Sequence, residues 1–228
     1  MLSRRQILGG MLVGGLAGCS SDSSTSTVTL FRETITTKAP QADAYPLSAQ
    51  QIQDLRYATL GIRIGSNPPA VLVLATVEGH NLRWVSADRT IFITNGGWLT
   101  QTQGLPRDLA ATRWVGDQAQ DPLRGFIQTG TLPARGVYRQ IDLLRANEKG
   151  VAVESRFEQR PDEVIEIQGS QHACRRIDEI ANMRAWRWET RNSFWIDPQN
   201  GQVWRSVQQY CPEIPPMRLE VLKPFAAA

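Results

Sequence analysis

Nucleophilic catalysis of the serine or cysteine type needs a histidine beside the nucleophile and a third group to orient it. The chain has two histidines, His80 and His172, and no Gly-x-Ser-x-Gly elbow to present a serine. His80 lies in Glu78-Gly79-His80-Asn81, which reads as an exposed turn. Cleaving a glycosidic bond needs two carboxylates at a set separation. Asp162, Glu163, Glu166, Asp178 and Glu179 are the candidates, but their spacing fits a solvated strand face and selects no pair. Gly61-Ile62-Arg63-Ile64-Gly65, followed by Ser66-Asn67-Pro68-Pro69, lacks the Gly-Lys-Ser/Thr ending and following helix of a phosphate loop, and reads as strand then turn. No catalytic residue is assigned.

Sulfur offers more. Cys19 ends Leu16-Ala17-Gly18-Cys19, which matches the bacterial lipobox, where the sulfur receives a diacylglycerol and cleavage makes the cysteine the new N-terminus. The residues before it agree. Arg4 and Arg5 form a positive start, and the apolar, glycine-rich stretch Ile7–Leu16 has the length of a signal segment, too short to span a bilayer. Ser3-Arg4-Arg5-Gln6-Ile7-Leu8 fits a twin-arginine export signal and equally a general secretory one. Ser20, rather than an aspartate, follows the cysteine, which points to the periplasmic face of the outer membrane. An ordinary signal with a chance cysteine is the alternative. Acyl chains give about 0.8 kcal/mol per buried CH₂, so lipid on Cys19 anchors the domain without a spanning segment.

Beyond Cys19, Cys174 and Cys211 form an even pair in an exported chain, and a disulfide is the simplest expectation, worth roughly 3–4 kcal/mol in the chain-entropy model. Two reduced buried thiols and a metal pair are the alternatives. Zinc needs further ligands, and neither histidine falls in ligand spacing with both cysteines, so no metal is expected. No cofactor motif is present.

The seven tryptophans are Trp84, Trp98, Trp114, Trp186, Trp188, Trp195 and Trp204. Each either fills a β core or forms a platform for sugar rings. Trp186 and Trp188 are two apart, so a strand places both on one face as a candidate glycan-stacking pair, with Arg187, Glu189 and Arg191 opposite.

Removing residues 1–18 takes away two arginines and no acid, leaving 23 basic against 22 acidic side chains, a formal charge of +1. The basic pI therefore carries no implication of nucleic-acid binding. Residues 20–27, Ser-Ser-Asp-Ser-Ser-Thr-Ser-Thr, read as a flexible tether of about 15–17 Å r.m.s. reach. The organisation expected is a signal peptide over 1–18, lipidated Cys19 and tether over 19–27, and one β-rich domain over 28–228, with no internal repeat or linker.

The elements of that domain follow from pattern. Ser48-Ala49-Gln50-Gln51 is a capping box, with Leu47 and Ile52 at the hydrophobic-staple positions, and predicts one short N-terminal helix ending near Tyr57 or Thr59. The apolar run Val71–Val77 predicts a buried strand. Asn95-Gly96 between Arg89–Thr94 and Gly97–Gln103 predicts a hairpin, and Asp197-Pro198-Gln199-Asn200-Gly201 predicts a second between Phe194–Ile196 and Gln202–Gln208. Period-two alternation around Val151–Phe157, again at Val164–Gln168, and from Met217 to Val221 points to a mainly β, antiparallel domain.

With these strands placed, two stretches resemble the YjbF/GfcB lipoprotein family, the group 4 capsule and exopolysaccharide lipoproteins of Gram-negative bacteria. One is Asn81-Leu82-Arg83-Trp84-Val85-Ser86-Ala87-Asp88, leading into Thr94-Asn95-Gly96-Gly97 and Thr102-Gln103-Gly104-Leu105. The other is Phe194-Trp195-Ile196-Asp197, then Gly201 through Gln209, Pro212 and Leu222-Lys223-Pro224. Family members often carry Asp-Gly where this chain has Asp88-Arg89. The resemblance implies coiled, barrel-like antiparallel sheets and a role in producing or exporting an extracellular polysaccharide, beside an outer-membrane barrel partner. It carries over no catalytic residues. The expectation is a non-enzymatic accessory lipoprotein contacting glycan or a secretion partner. A polysaccharide-modifying enzyme using Glu163 or Glu166, and a pure protein-interaction module, are its rivals.

Overall fold

The structure, a computed structural model, describes residues 44–116, 120–144 and 148–225. The expected signal, Cys19 and the tether lie outside the described residues. Ser48 caps helix α1 (Ala49–Asp54) as expected: its hydroxyl accepts from Gln51 N and the Gln51 side chain accepts from Ser48 N. The helix stops at Asp54, sooner than its apolar pattern suggests, and Leu47 and Ile52 are buried together.

Twelve strands follow: β1 (Thr59–Ile64), β2 (Ala70–Glu78), β3 (Asn81–Val85), β4 (Ile91–Asn95), β5 (Trp98–Gln103), β6 (Leu109–Val115), β7 (Val137–Leu143), β8 (Glu148–Ile167), β9 (Ser170–Met183), β10 (Trp188–Ile196), β11 (Val203–Gln208) and β12 (Met217–Lys223). They form one sheet in the order β5-β4-β3-β2-β1-β12-β11-β10-β9-β8-β7-β6, antiparallel throughout. The sheet curls into a nearly closed barrel, the mainly β architecture expected. Its two end strands, β5 and β6, are consecutive in the chain, and side chains bridge the seam. Asp108 accepts from Gly104 N, Leu105 N and the Thr102 hydroxyl, and Thr102 in turn accepts from Leu109 N. The Gln208 amide accepts from Leu99 N and donates to Gly97 O, standing in for a strand partner along β5.

The two alternating segments around Val153 and Val164 are one strand. β8 runs through Pro161, and the register with β9 shifts between Arg160 and Glu163. Proline has no N–H for the ladder, so pairing slips there and resumes. β2 is buried only as far as Leu74; beyond a second irregularity Val77 is exposed. Arg89, in the turn between β3 and β4, holds φ +67°.

A helix the alternation concealed, α2 (Pro122–Thr129), lies between β6 and β7. Asp121 caps it, Pro122 occupies its first turn, and Gly130 ends it in the left-handed conformation. Leu123 and Phe126 pack with Trp98, Ile177, Phe194 and Val203 on the inner face of the sheet. The same face carries the largest cluster, which includes Leu60, Trp84, Ala181, Met183 and Met217. Between these clusters Glu179 is wholly buried and bonded to Arg139, to Ser155 and, at 2.6 Å, to Asn192. The Arg139 guanidinium lies 5.1 Å from the Trp98 ring centroid and 5.3 Å from that of Trp114.

The outer face is organised by a row of directly opposed residues. Arg176, Trp195, Arg205 and Glu220 face one another across β9, β10, β11 and β12. Trp195 lies between the guanidinium groups of Arg176 and Arg205, at 5.1 and 5.7 Å, and donates to Glu163 at 2.7 Å. Glu220 accepts from Arg205 and from the Tyr45 hydroxyl, 2.6 Å away. Beside this row Asp178 is buried under Arg176 and Arg191 and accepts from the Ser193 hydroxyl. Burial opposes its ionisation, but these hydrogen bonds outweigh burial and hold the carboxyl below its ordinary value. A carboxyl depressed on folding contributes stability at pH above its unfolded value, about 4, and that contribution is lost as pH falls through the folded value. Acid unfolding followed by circular dichroism should therefore show a steep loss below about pH 4. Asp178→Asn should flatten that limb.

The disulfide expected between Cys174 and Cys211 does not form; the two are buried free thiols. Even-numbered β9 residues face outward, so Cys174 packs with Leu47, Ile52 and Trp195 in the cluster beneath α1. Cys211 packs with Tyr210, Ile214 and Met217 inside the barrel. The sheet separates the two sulfurs, which an even cysteine count does not reveal. Burial pushes the Cys174 thiol up to about 11 and raises that of Cys211 as well, which suppresses the reactive thiolate. Ellman's reagent should leave both unreacted in the native protein and titrate both after guanidinium unfolding. Electrophoretic mobility should be the same with and without reductant.

Candidate functional site

The residues singled out for catalysis do not converge. His80 is in an exposed turn between β2 and β3. Asp162 and Glu166 are exposed on β8, and Glu163 is held by Arg176 and Trp195. Hydrogen bonds from Trp195 and Arg176 keep the Glu163 carboxyl below its ordinary value, the opposite of what a general acid requires. Asp178 and Glu179 are neighbours on one strand and point to opposite faces. Among the described residues no group of three or more histidine, cysteine or acidic side chains is placed to hold a metal ion.

The tryptophans divide by burial. Trp84, Trp98 and Trp195 belong to the core. Trp186 and Trp188 do not share a strand face: Trp186 ends a 3₁₀ turn over Arg184–Trp186, Arg187 takes φ +50°, and Trp188 begins β10. Both are half-buried against the inner cluster.

Two turns read from the sequence meet instead. The Asn95-Gly96-Gly97 turn between β4 and β5 and the 197–202 turn between β10 and β11 form the rim of a cavity of about 480 Å³ at one end of the barrel interior. Gly97, at φ +90°, lies so close to β11 that a Cβ would stand 2.6 Å from Val203. Gly201, at φ +74°, leaves room for Ile127 of α2, which a Cβ would meet at 2.5 Å. α2 is fixed to the first turn: Asp121, its cap, accepts from Trp98 Nε1 at 2.6 Å, and Arg124 donates to Asn95 at 3.3 Å. The second turn closes on itself, with Asp197 N donating to Gln202 O and Gly201 N to Asp197 O.

The cavity has aromatic surface from Trp84, Trp204 and Phe225, polar groups from Asn200, Gln202 and Ser206, and an aliphatic floor from β1 and β12. None of the described residues lining it is charged. Asn200 and Phe225 are exposed, so the cavity reaches solvent. Trp84 is fixed by donating to Thr94 Oγ1 at 2.8 Å. Trp204 occupies the irregularity where β10 and β11 shift register, donates to Asp197 at 3.3 Å, and stacks on His172 with centroids 3.9 Å apart. Burial lowers the His172 value, opposed by Asp197 and aided by Arg205. Trp204, Val221 and Pro224 also line a second cavity of about 270 Å³ beside α1.

Residues 25–222 match the family model described as "Group 4 capsule polysaccharide lipoprotein gfcB, YjbF". The chain belongs to the YjbF family. Within the family it is 28% identical over 211 residues to the uncharacterized lipoprotein GfcB of Escherichia coli K12, covering 92% of this chain and 94% of that one. It is 25% identical over 183 residues to the uncharacterized lipoprotein YjbF of the same strain, covering 78% and 80%. The crystal structure of the hypothetical lipoprotein YmcC from Escherichia coli K12 superposes with a TM-score of 0.71 at 25% identity, covering 90% of this chain and all of that one. The family match begins after Cys19, so the anchor is argued from the lipobox. Among the described residues no helix is long and apolar enough to cross a membrane.

Sequence reasoning predicted both rim turns but not their meeting. The signal available was the pair of Asn-Gly dipeptides, each beside a tryptophan two or three residues on: Trp98 and Trp204.

Proposed function

We propose that this YjbF-family protein is a non-enzymatic accessory lipoprotein in the production or secretion of an exopolysaccharide or capsule. Acylated Cys19 holds the barrel at the periplasmic face of the outer membrane, where it contacts glycan or a secretion partner such as an outer-membrane barrel. The observation that carries this reading is the match of residues 25–222 to a capsule-polysaccharide lipoprotein family, on a chain whose lipobox precedes the matched region. The ion pairs that hold Glu163, Asp178 and Glu179 to arginines support a binding role over carboxylate catalysis. In a producing strain lacking the chromosomal gene, the wild-type protein should restore polymer output. Cys19→Ala, expressed at the same level and folded, should restore little of it. Full output from the Cys19→Ala protein overturns the anchoring role.

A further inference from the structure

The cavity at the barrel end falls within the usual range for small-ligand sites, about 300–1,000 Å³, and combines aromatic surface with a few convergent polar groups. Its charged neighbours stand behind the lining and are engaged: Asp197 with Trp204, Asp121 with Trp98, and Arg124 with Asn95. A ligand carboxylate inside would lose its water without a cation to replace it, which is strongly unfavourable. Asn200, Gln202 and Ser206 already bond to Gln202 N, Val203 O and Gln208, and the hydrogen-bonding capacity that remains to them would go unused against an acyl chain. A neutral sugar has both an apolar ring face for an aromatic surface and hydroxyls for amides.

We propose that this cavity binds an uncharged saccharide segment, with Trp204 as the stacking surface and Asn200 and Gln202 as hydroxyl partners. The inference rests on the reading that the domain contacts glycan, and it names the site and the class of sugar. Trp204 sits at the barrel rim, at the register shift of β11, where it packs against the cluster beneath α1 and also lines the cavity. Its N–H is held by Asp197 and one ring face by His172, so little side-chain freedom is lost on binding.

The test is titration of the detergent-solubilised mature lipoprotein, followed by intrinsic tryptophan fluorescence. The probes are neutral hexamers of glucose, galactose and mannose in α and β linkage, with hexagalacturonate as the anionic counterpart. At least one neutral hexamer should saturate with Kd at or below about 1 mM, and hexagalacturonate should bind about tenfold more weakly or not at all. Trp204→Ala should weaken binding by about tenfold or more. Gln202→Ala, at a turn with no part in the core, should weaken it severalfold with unfolding temperature unchanged. The proposal is overturned by the absence of saturation with any neutral hexamer, by equal binding of hexagalacturonate, or by wild-type affinity in the Gln202→Ala and Trp204→Ala proteins. Binding in detergent does not depend on the anchor's role in cells. Failure here therefore leaves the Cys19→Ala result standing, and failure there leaves this one.

Discussion

Replacing Arg139 by alanine is expected to destabilise the protein by about 3–5 kcal/mol, read as a lower urea midpoint at unchanged slope. The cost is large because the partner left behind has no route to water. Glu179 is fully buried, and Arg139 is the cation that meets both of its carboxylate oxygens. Ser155 and Asn192 would remain as donors, but they neutralise nothing. Trp98 and Trp114 would also lose the guanidinium at their rings. The double variant Arg139→Met with Glu179→Gln removes both charges while keeping much of their volume, and should recover most of the loss. If Arg139→Ala and the double variant are equally unstable, packing rather than charge carries the effect.

The second large effect is expected at Trp195. Truncation to alanine removes a buried aromatic ring from the cluster beneath α1, a change that costs about 3–5 kcal/mol. It also leaves Glu163 without its indole donor and takes away the surface between Arg176 and Arg205. Trp186→Ala, at a half-buried 3₁₀ turn, should cost only about 1 kcal/mol. Thermal unfolding of the two variants side by side separates these roles. Comparable losses would mean that the row from Arg176 to Glu220 is incidental to the outer face.

Much of the sheet was legible because its signals are local. The capping box at Ser48, the Asn-Gly turns and the period-two runs each specify geometry within a few residues. What was missed depends on distance. Whether Cys174 and Cys211 meet depends on which face of the curled sheet each occupies, and that parity is set by strand order rather than spacing. Trp186 and Trp188 fit a strand by spacing, but a 3₁₀ turn intervenes because the chain reverses between β9 and β10 there. α2 was concealed for another reason. Eight residues carry too short a helical period to stand out, although Asp121-Pro122 and Gly130 mark its ends. The cavity is the clearest case: Trp84, Asn200 and Phe225 come from three distant parts of the chain, and only closure of the barrel brings them together.

Membrane attachment of this barrel rests on lipid at Cys19. Intact-mass and peptide mass spectrometry of the protein purified from its native membrane tests this directly. The expected result is a mature chain that begins at Cys19 and carries a diacylglycerol on its sulfur, with residues 1–18 gone. An unmodified thiol at residue 19, or a chain that retains those residues, contradicts it.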